Sequence, residues 1–163
     1  MGCGKTAVAG KLAVRLKCKM RDLDDAITRR EGRSPARIIE EDGERAFRAI
    51  ETRSLRDVLN DRSIRVIALG GGAWINEINR DLIRQKAGVS VWLDAPFEVC
   101  WERISQSGDN RPLGSSKEQA RILYERRRPV YQLAHLRLEA NKSVSLDDLA
   151  GSIEGQLAHL TAS

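Results

Sequence analysis

The chain has 163 residues, of which 41% are apolar and 31% charged. That mix suits one soluble folded domain spanning 1–163 and is too hydrophobic for a disordered chain. No stretch approaches the roughly 20 consecutive apolar residues that cross a membrane, and the opening residues lack a basic segment followed by an apolar one, which argues against membrane and secretory roles. The net charge is +5, but acids and bases are interleaved and aromatics are only 4%, so a nucleic-acid surface is poorly supported. A pocket for small phosphate-bearing molecules accounts for the excess more simply. Cys3, Cys18 and Cys100 are odd in number and dispersed, as expected for reduced thiols of a cytoplasmic protein.

The chain opens on Met1-Gly2-Cys3-Gly4-Lys5-Thr6, which closes a loop of the form G-x-x-x-x-G-K-[ST]. In such a loop glycines let backbone N–H groups curl around phosphate oxygens, the lysine reaches the outer phosphates and the threonine hydroxyl serves Mg²⁺. The first glycine of the pattern would precede Met1. The strand that normally leads into the loop is therefore expected upstream, and the chain reads as N-terminally truncated. Ala7 to Leu16 is predicted helical, with Val8, Leu12 and Leu16 at four-residue spacing. Arg21-Asp22-Leu23-Asp24-Asp25 follows an apolar run. If that segment is strand-like, Asp22 and Asp24 point the same way, one placed for a metal and one for a substrate hydroxyl; the alternative is an acidic helix cap.

Ser34-Pro35 reads as an N-cap followed by proline at the first helical position, opening a helix through Glu41. Glu44 to Leu59 follows as a second helix with Phe47, Ile50 and Leu55 on one face. Ile64 to Leu69 is a β-branched strand stopped by Gly70-Gly71-Gly72, which suggests a tight loop or close backbone approach to a ligand. Val89 to Leu93 is another strand, and Pro96 starts the next helix. Residues 107–116 are polar and aperiodic and read as a mobile lid carrying Arg111. Ser116-x-x-Gln119 is a capping box for a long helix. Leu136 to Glu139 is the last strand, and Ser145-x-x-Asp148 opens the last helix. Strands separated by helical stretches mean an α/β fold, three layers with helices on both faces of a central parallel sheet, and ligands beyond the carboxyl ends of the strands.

Taken together, the ordered set Gly2-Cys3-Gly4-Lys5-Thr6, Asp22-x-Asp24, Gly32-Arg33-Ser34, Asp42-Gly43-Glu44, Phe47-Arg48-x-x-Glu51, Leu69-Gly70-Gly71-Gly72-Ala73, Arg111-Pro112-Leu113 and Arg127-x-Pro129-x-Tyr131 resembles the shikimate kinases, P-loop enzymes of the nucleoside-monophosphate-kinase-like group. The resemblance runs from Met1 to about Ala140. It implies transfer of the ATP γ-phosphate to the 3-hydroxyl of shikimate. It also implies ATP on Gly2 through Ala7, with Lys5 and Arg111 on the transferring phosphoryl group, and Mg²⁺ on Thr6 and Asp22. Asp24 becomes the candidate base, and Arg48, Arg127 and Gly70 to Gly72 hold the acceptor, in a monomer. Two departures stand out: Gly114 where the family usually has leucine, and only Lys142 near the place of the basic residue that meets adenine. A kinase for another small acid or polyol such as gluconate, or a non-catalytic relative, are the alternatives.

Overall fold

The computed structural model describes residues 2–106 and 116–161. Among them the chain alternates strands and helices. Helix α1 (Lys5–Arg15) leads to strand β1 (Lys19–Asp22), then α2 (Leu23–Glu31), α3 (Pro35–Asp42) and α4 (Glu44–Asn60). Strand β2 (Ile64–Ala68) is followed by α5 (Gly71–Ile75) and α6 (Glu77–Gln85), and β3 (Val91–Asp94) by α7 (Phe97–Gln106). After residues 107–115 come α8 (Lys117–Tyr131), β4 (Leu136–Glu139) and α9 (Leu146–Thr161).

All strand pairing is parallel, as expected, but the strands form two pairs rather than one continuous ladder among the described residues. β1 lies beside β2 with Asp22 opposite Ala68, and β3 beside β4 with Asp94 opposite Glu139. The two pairs share a core without sharing hydrogen bonds. Val66 and Ala68 of β2, Leu93 of β3 and Leu138 of β4 pack with Val8 and Leu12 of α1 and with Leu149 and Ile153 of α9. On the other face of β2, Ile67 and Leu69 meet a second cluster built on Leu23, Ile27, Phe47 and Leu55. Burial on both faces explains why Ile64 to Leu69 reads as a nearly continuous apolar run. Leu23, Ile27 and Leu55 are fully buried, each contributing about 1.5–3 kcal/mol relative to exposure. These are the three layers of an α/β/α fold.

Local chemistry accounts for most boundaries. The Ser34 side chain accepts from Arg37 N, with Pro35 in the first turn of α3. Ser116 accepts from Gln119 N at the start of α8. The Ser145 hydroxyl accepts from Asp148 N and donates to the Asp148 carboxylate. Three expectations are corrected. The strand expected from Val89 begins at Val91. The aspartate pair does not lie along a strand, because β1 ends at Asp22 and the chain turns at once into α2. The triple glycine is not a loop, since Gly71 and Gly72 form the first residues of α5. Residues 107–115, and with them Arg111, lie outside the described residues.

Candidate active site

The phosphate-binding end is built where the chain enters α1. Gly2 and Gly4 have φ of +61° and +86°, in the left-handed region that side chains disfavour. Gly4 caps α1 with no side chain filling the cap, which leaves the first-turn N–H groups facing outward for an anion. Gly2 also presses on α7, because a Cβ there would lie 2.4 Å from the Cys100 carbonyl oxygen. Cys3 packs against the core beside buried Cys100, whose thiol is pushed up by burial. Lys5 is half-buried, while Thr6 and Ala7 are exposed at the loop surface. The Arg103 guanidinium of α7 donates to the Gly2 carbonyl at 3.3 Å, a second cation at the loop that sequence reasoning did not select.

Asp22 ties this end to the next. Its Oδ2 accepts the Thr6 hydroxyl at 2.5 Å, and its Oδ1 accepts Asp24 N at 2.9 Å as the N-cap of α2. The capping role and the loop contact therefore coexist in one carboxylate. A hydroxyl and a carboxylate meeting beside a phosphate loop are the hard oxygen donors that suit Mg²⁺. Asp24 sits in the first turn of α2 and not two residues along a strand, yet it still faces the glycine turn. Its Oδ1 lies 3.4 Å from where a Cβ on Gly70 would stand.

At the far end, Arg48 of α4 is held by two carboxylates. Nη1 donates to both oxygens of Glu51 at 3.0 Å, and Nη2 to Glu44 at 3.0 Å. Burial pulls Arg48 down, but the two glutamates outweigh it and keep it above the usual guanidinium value. Glu51 is only 2% exposed, and burial raises its carboxyl above the ordinary range although Arg48 opposes the rise. Gly72 lies against Arg48, since a Cβ there would fall 2.5 Å from Nη1. Gly71 lies against Tyr131 and Arg127 of α8, with the Tyr131 hydroxyl 2.3 Å from the corresponding point. The glycines are thus required for close side-chain approach, while their backbone is ordinary.

Helix α6 secures this turn. Buried Asn79 donates to the Ala73 carbonyl at 3.0 Å, and Arg80 donates to those of Trp74 and Ile75 at 2.8 Å. These bonds satisfy the exposed C-terminal carbonyls of α5. Asp24, Arg48, Gly70, Gly71, Gly72 and Arg127 therefore come together, and Lys5, Thr6 and Asp22 meet at the opposite end. Lys142 is engaged by Glu102 of α7. Glu51, Arg103 and Tyr131 were missed as individuals. For Glu51 the signal was a carboxylate three residues after an arginine on an otherwise apolar helix face. For Tyr131 it was the four-residue spacing from Arg127.

A family model described as shikimate kinase matches residues 1–157. The chain belongs to the shikimate kinase family. A shikimate kinase of Cereibacter sphaeroides is 39% identical over 97% of this chain and 79% of its own length. One of Caulobacter vibrioides is 42% identical over 85% of this chain and 70% of its own. Among solved structures, a shikimate kinase from Acinetobacter baumannii in complex with shikimate superposes with a TM-score of 0.90 at 33% identity, covering 100% of this chain and 91% of that one. The protein is a P-loop kinase of the shikimate pathway, using ATP.

Proposed function

We propose a division of labour among the residues of this kinase. The backbone of Gly2 to Ala7 cradles the ATP phosphates, and the Lys5 ammonium balances charge on the group in transfer. Thr6 and Asp22 are the residues that would hold Mg²⁺, which when bound neutralises charge on the phosphate oxygens. Asp24 accepts the proton of the shikimate 3-hydroxyl as that oxygen attacks the γ-phosphorus and the bond from that phosphorus to the departing ADP oxygen breaks. Arg48 and Arg127 grip the acceptor carboxylate from two sides, through the paired N–H groups that make arginine a bidentate donor. The backbone of Gly70 to Gly72 closes that wall. Arg111 of the lid is assigned to the transferring phosphoryl group.

Phosphoryl transfer is largely a matter of positioning and charge balance, and one observation carries the assignment. Asp24 stands between the loop, to which its own amide is tied through Asp22 and Thr6, and a glycine turn flanked by two guanidiniums. Neutral polyols offer nothing to those guanidiniums, which disfavours an uncharged sugar or polyol acceptor; a small acid such as gluconate also carries a carboxylate, and the substrate comparison separates it from shikimate. We also infer a monomer, supported by both ends of the site lying in one chain, and a cytoplasmic setting, supported by its free cysteines. Coupled ADP-release assays test the assignment. Release should require shikimate and Mg²⁺ and fail with gluconate; ATP binding without turnover would instead mark a non-catalytic relative. The mass in solution checks the monomer.

A further inference from the structure

Helix α8 carries Arg127 two residues before Pro129. The proline supplies no N–H for the carbonyl one turn earlier and its ring crowds that carbonyl, so the helix is least self-supporting where Arg127 projects. Two contacts brace this end of the helix against the glycine turn. The Trp74 indole N–H donates to the Val130 carbonyl at 3.0 Å, one of the last carbonyls of α8. The Tyr131 hydroxyl, one turn beyond Arg127, presses directly on Gly71, at the same point of the main chain that Arg127 Nη1 approaches. Trp74 is itself fixed, because Arg80 binds its carbonyl and Asn79 binds that of Ala73. Behind Tyr131, the Trp92 ring packs at 6.1 Å between centroids and keeps the phenol from swinging away.

We propose that Trp74 and Tyr131 are positioning residues, which lock α8 onto the glycine turn and hold Arg127 where an acceptor carboxylate must meet it. The proposal rests on the reading of Arg127 as a carboxylate ligand. Neither side chain needs to touch substrate. Their effect on the reaction is therefore confined to how well a carboxylate-bearing acceptor is held, while the nucleotide end is unaffected.

Steady-state kinetics of Trp74→Phe and Tyr131→Phe test this: the first keeps an aromatic side chain but removes the indole N–H donor, and the second keeps the ring and removes only the hydroxyl. For each, the shikimate KM should rise about 5–20-fold, the size expected when one such polar contact is lost. Turnover and the ATP KM should stay within about twofold, a split that a general loss of structure would not produce. An unchanged shikimate KM in both variants overturns the proposal, as does a parallel loss in all three parameters. If Trp74→Phe fails to fold, Tyr131→Phe, which alters one oxygen, decides alone. Arg127→Ala separates this from the reading beneath it. If that change leaves the shikimate KM untouched, the carboxylate assignment falls; if it raises KM while the other two do not, only the positioning role falls.

Discussion

Both ends of the active site are made of glycines, for opposite reasons. At the phosphate loop the backbone itself is unusual, with Gly2 and Gly4 at φ of +61° and +86°. At the acceptor end the backbone is plain, and it is the space where a side chain would be that is taken, by the Arg48 guanidinium at Gly72 and the Tyr131 hydroxyl at Gly71. The first kind of glycine shapes a cradle from N–H groups. The second lets neighbouring side chains come up against the main chain. A run of glycines in a sequence does not by itself say which kind it is.

The largest test addresses the residue between the two ends. Asp24→Asn keeps the shape and removes the proposed base, and turnover should fall about 10²–10⁴-fold in the coupled ADP assay; a smaller effect would mean that positioning by the two glycine ends suffices. Next, Gly71→Ala should cost about 1–3 kcal/mol in denaturant unfolding from overpacking, and adding Tyr131→Phe should recover part of that stability by removing the crowding oxygen. Failure of the second change to help would show that backbone freedom, not space, was the issue there. At Gly4 the contacts a Cβ would make are ordinary, 3.5 Å at the nearest. Gly4→Ala should therefore lose about 1 kcal/mol from the left-handed backbone alone, and Gly4→Asn less, because asparagine tolerates that region. The same pair of substitutions at Gly71 should show no such advantage for asparagine.

A subtler difference is pH. Glu51 backs the acceptor end, and burial raises its carboxyl in the folded state, so the folded protein takes up this proton more readily than the unfolded chain. Its contribution to stability is full below the ordinary glutamate range and is lost as pH rises through the raised value. Melting temperatures of the parent and of Glu51→Gln, compared at pH 4 and pH 7, should shift in favour of the variant at the higher pH.

Much of this arrangement is legible in the order of residues. Helices α3, α8 and α9 announce themselves through Ser or Pro at their starts, and their caps in the structure involve those residues, whereas α4 is marked by its apolar spacing alone. The two shortest departures from the expected elements have different causes, bonding from a neighbouring helix in one and local capping in the other. Glycine-rich α5 forms because Asn79 and Arg80 of the next helix take its carbonyls, and no local pattern encodes that. Asp22 ends its strand early because its carboxylate caps α2 as well as meeting Thr6. Of the site, the motif residues among those described are brought together, while Glu51 and Tyr131 stood inside the motifs without a role that could be read from them, because their work is to hold other side chains.

The pairing of Arg48 with Glu51 and Glu44 has a consequence for how an anion arrives. Around the acceptor end the fixed carboxylates of Asp24, Glu44 and Glu51 offset the guanidiniums of Arg48 and Arg127. An approaching carboxylate meets little long-range attraction, and recognition begins only at contact. Ionic strength, which screens distant charges over about 10 Å at 0.1 M, then has little to screen. The shikimate KM should move only slightly between dilute buffer and physiological salt, while nucleotide binding at the cationic loop of Lys5 and Arg103 weakens as salt is added.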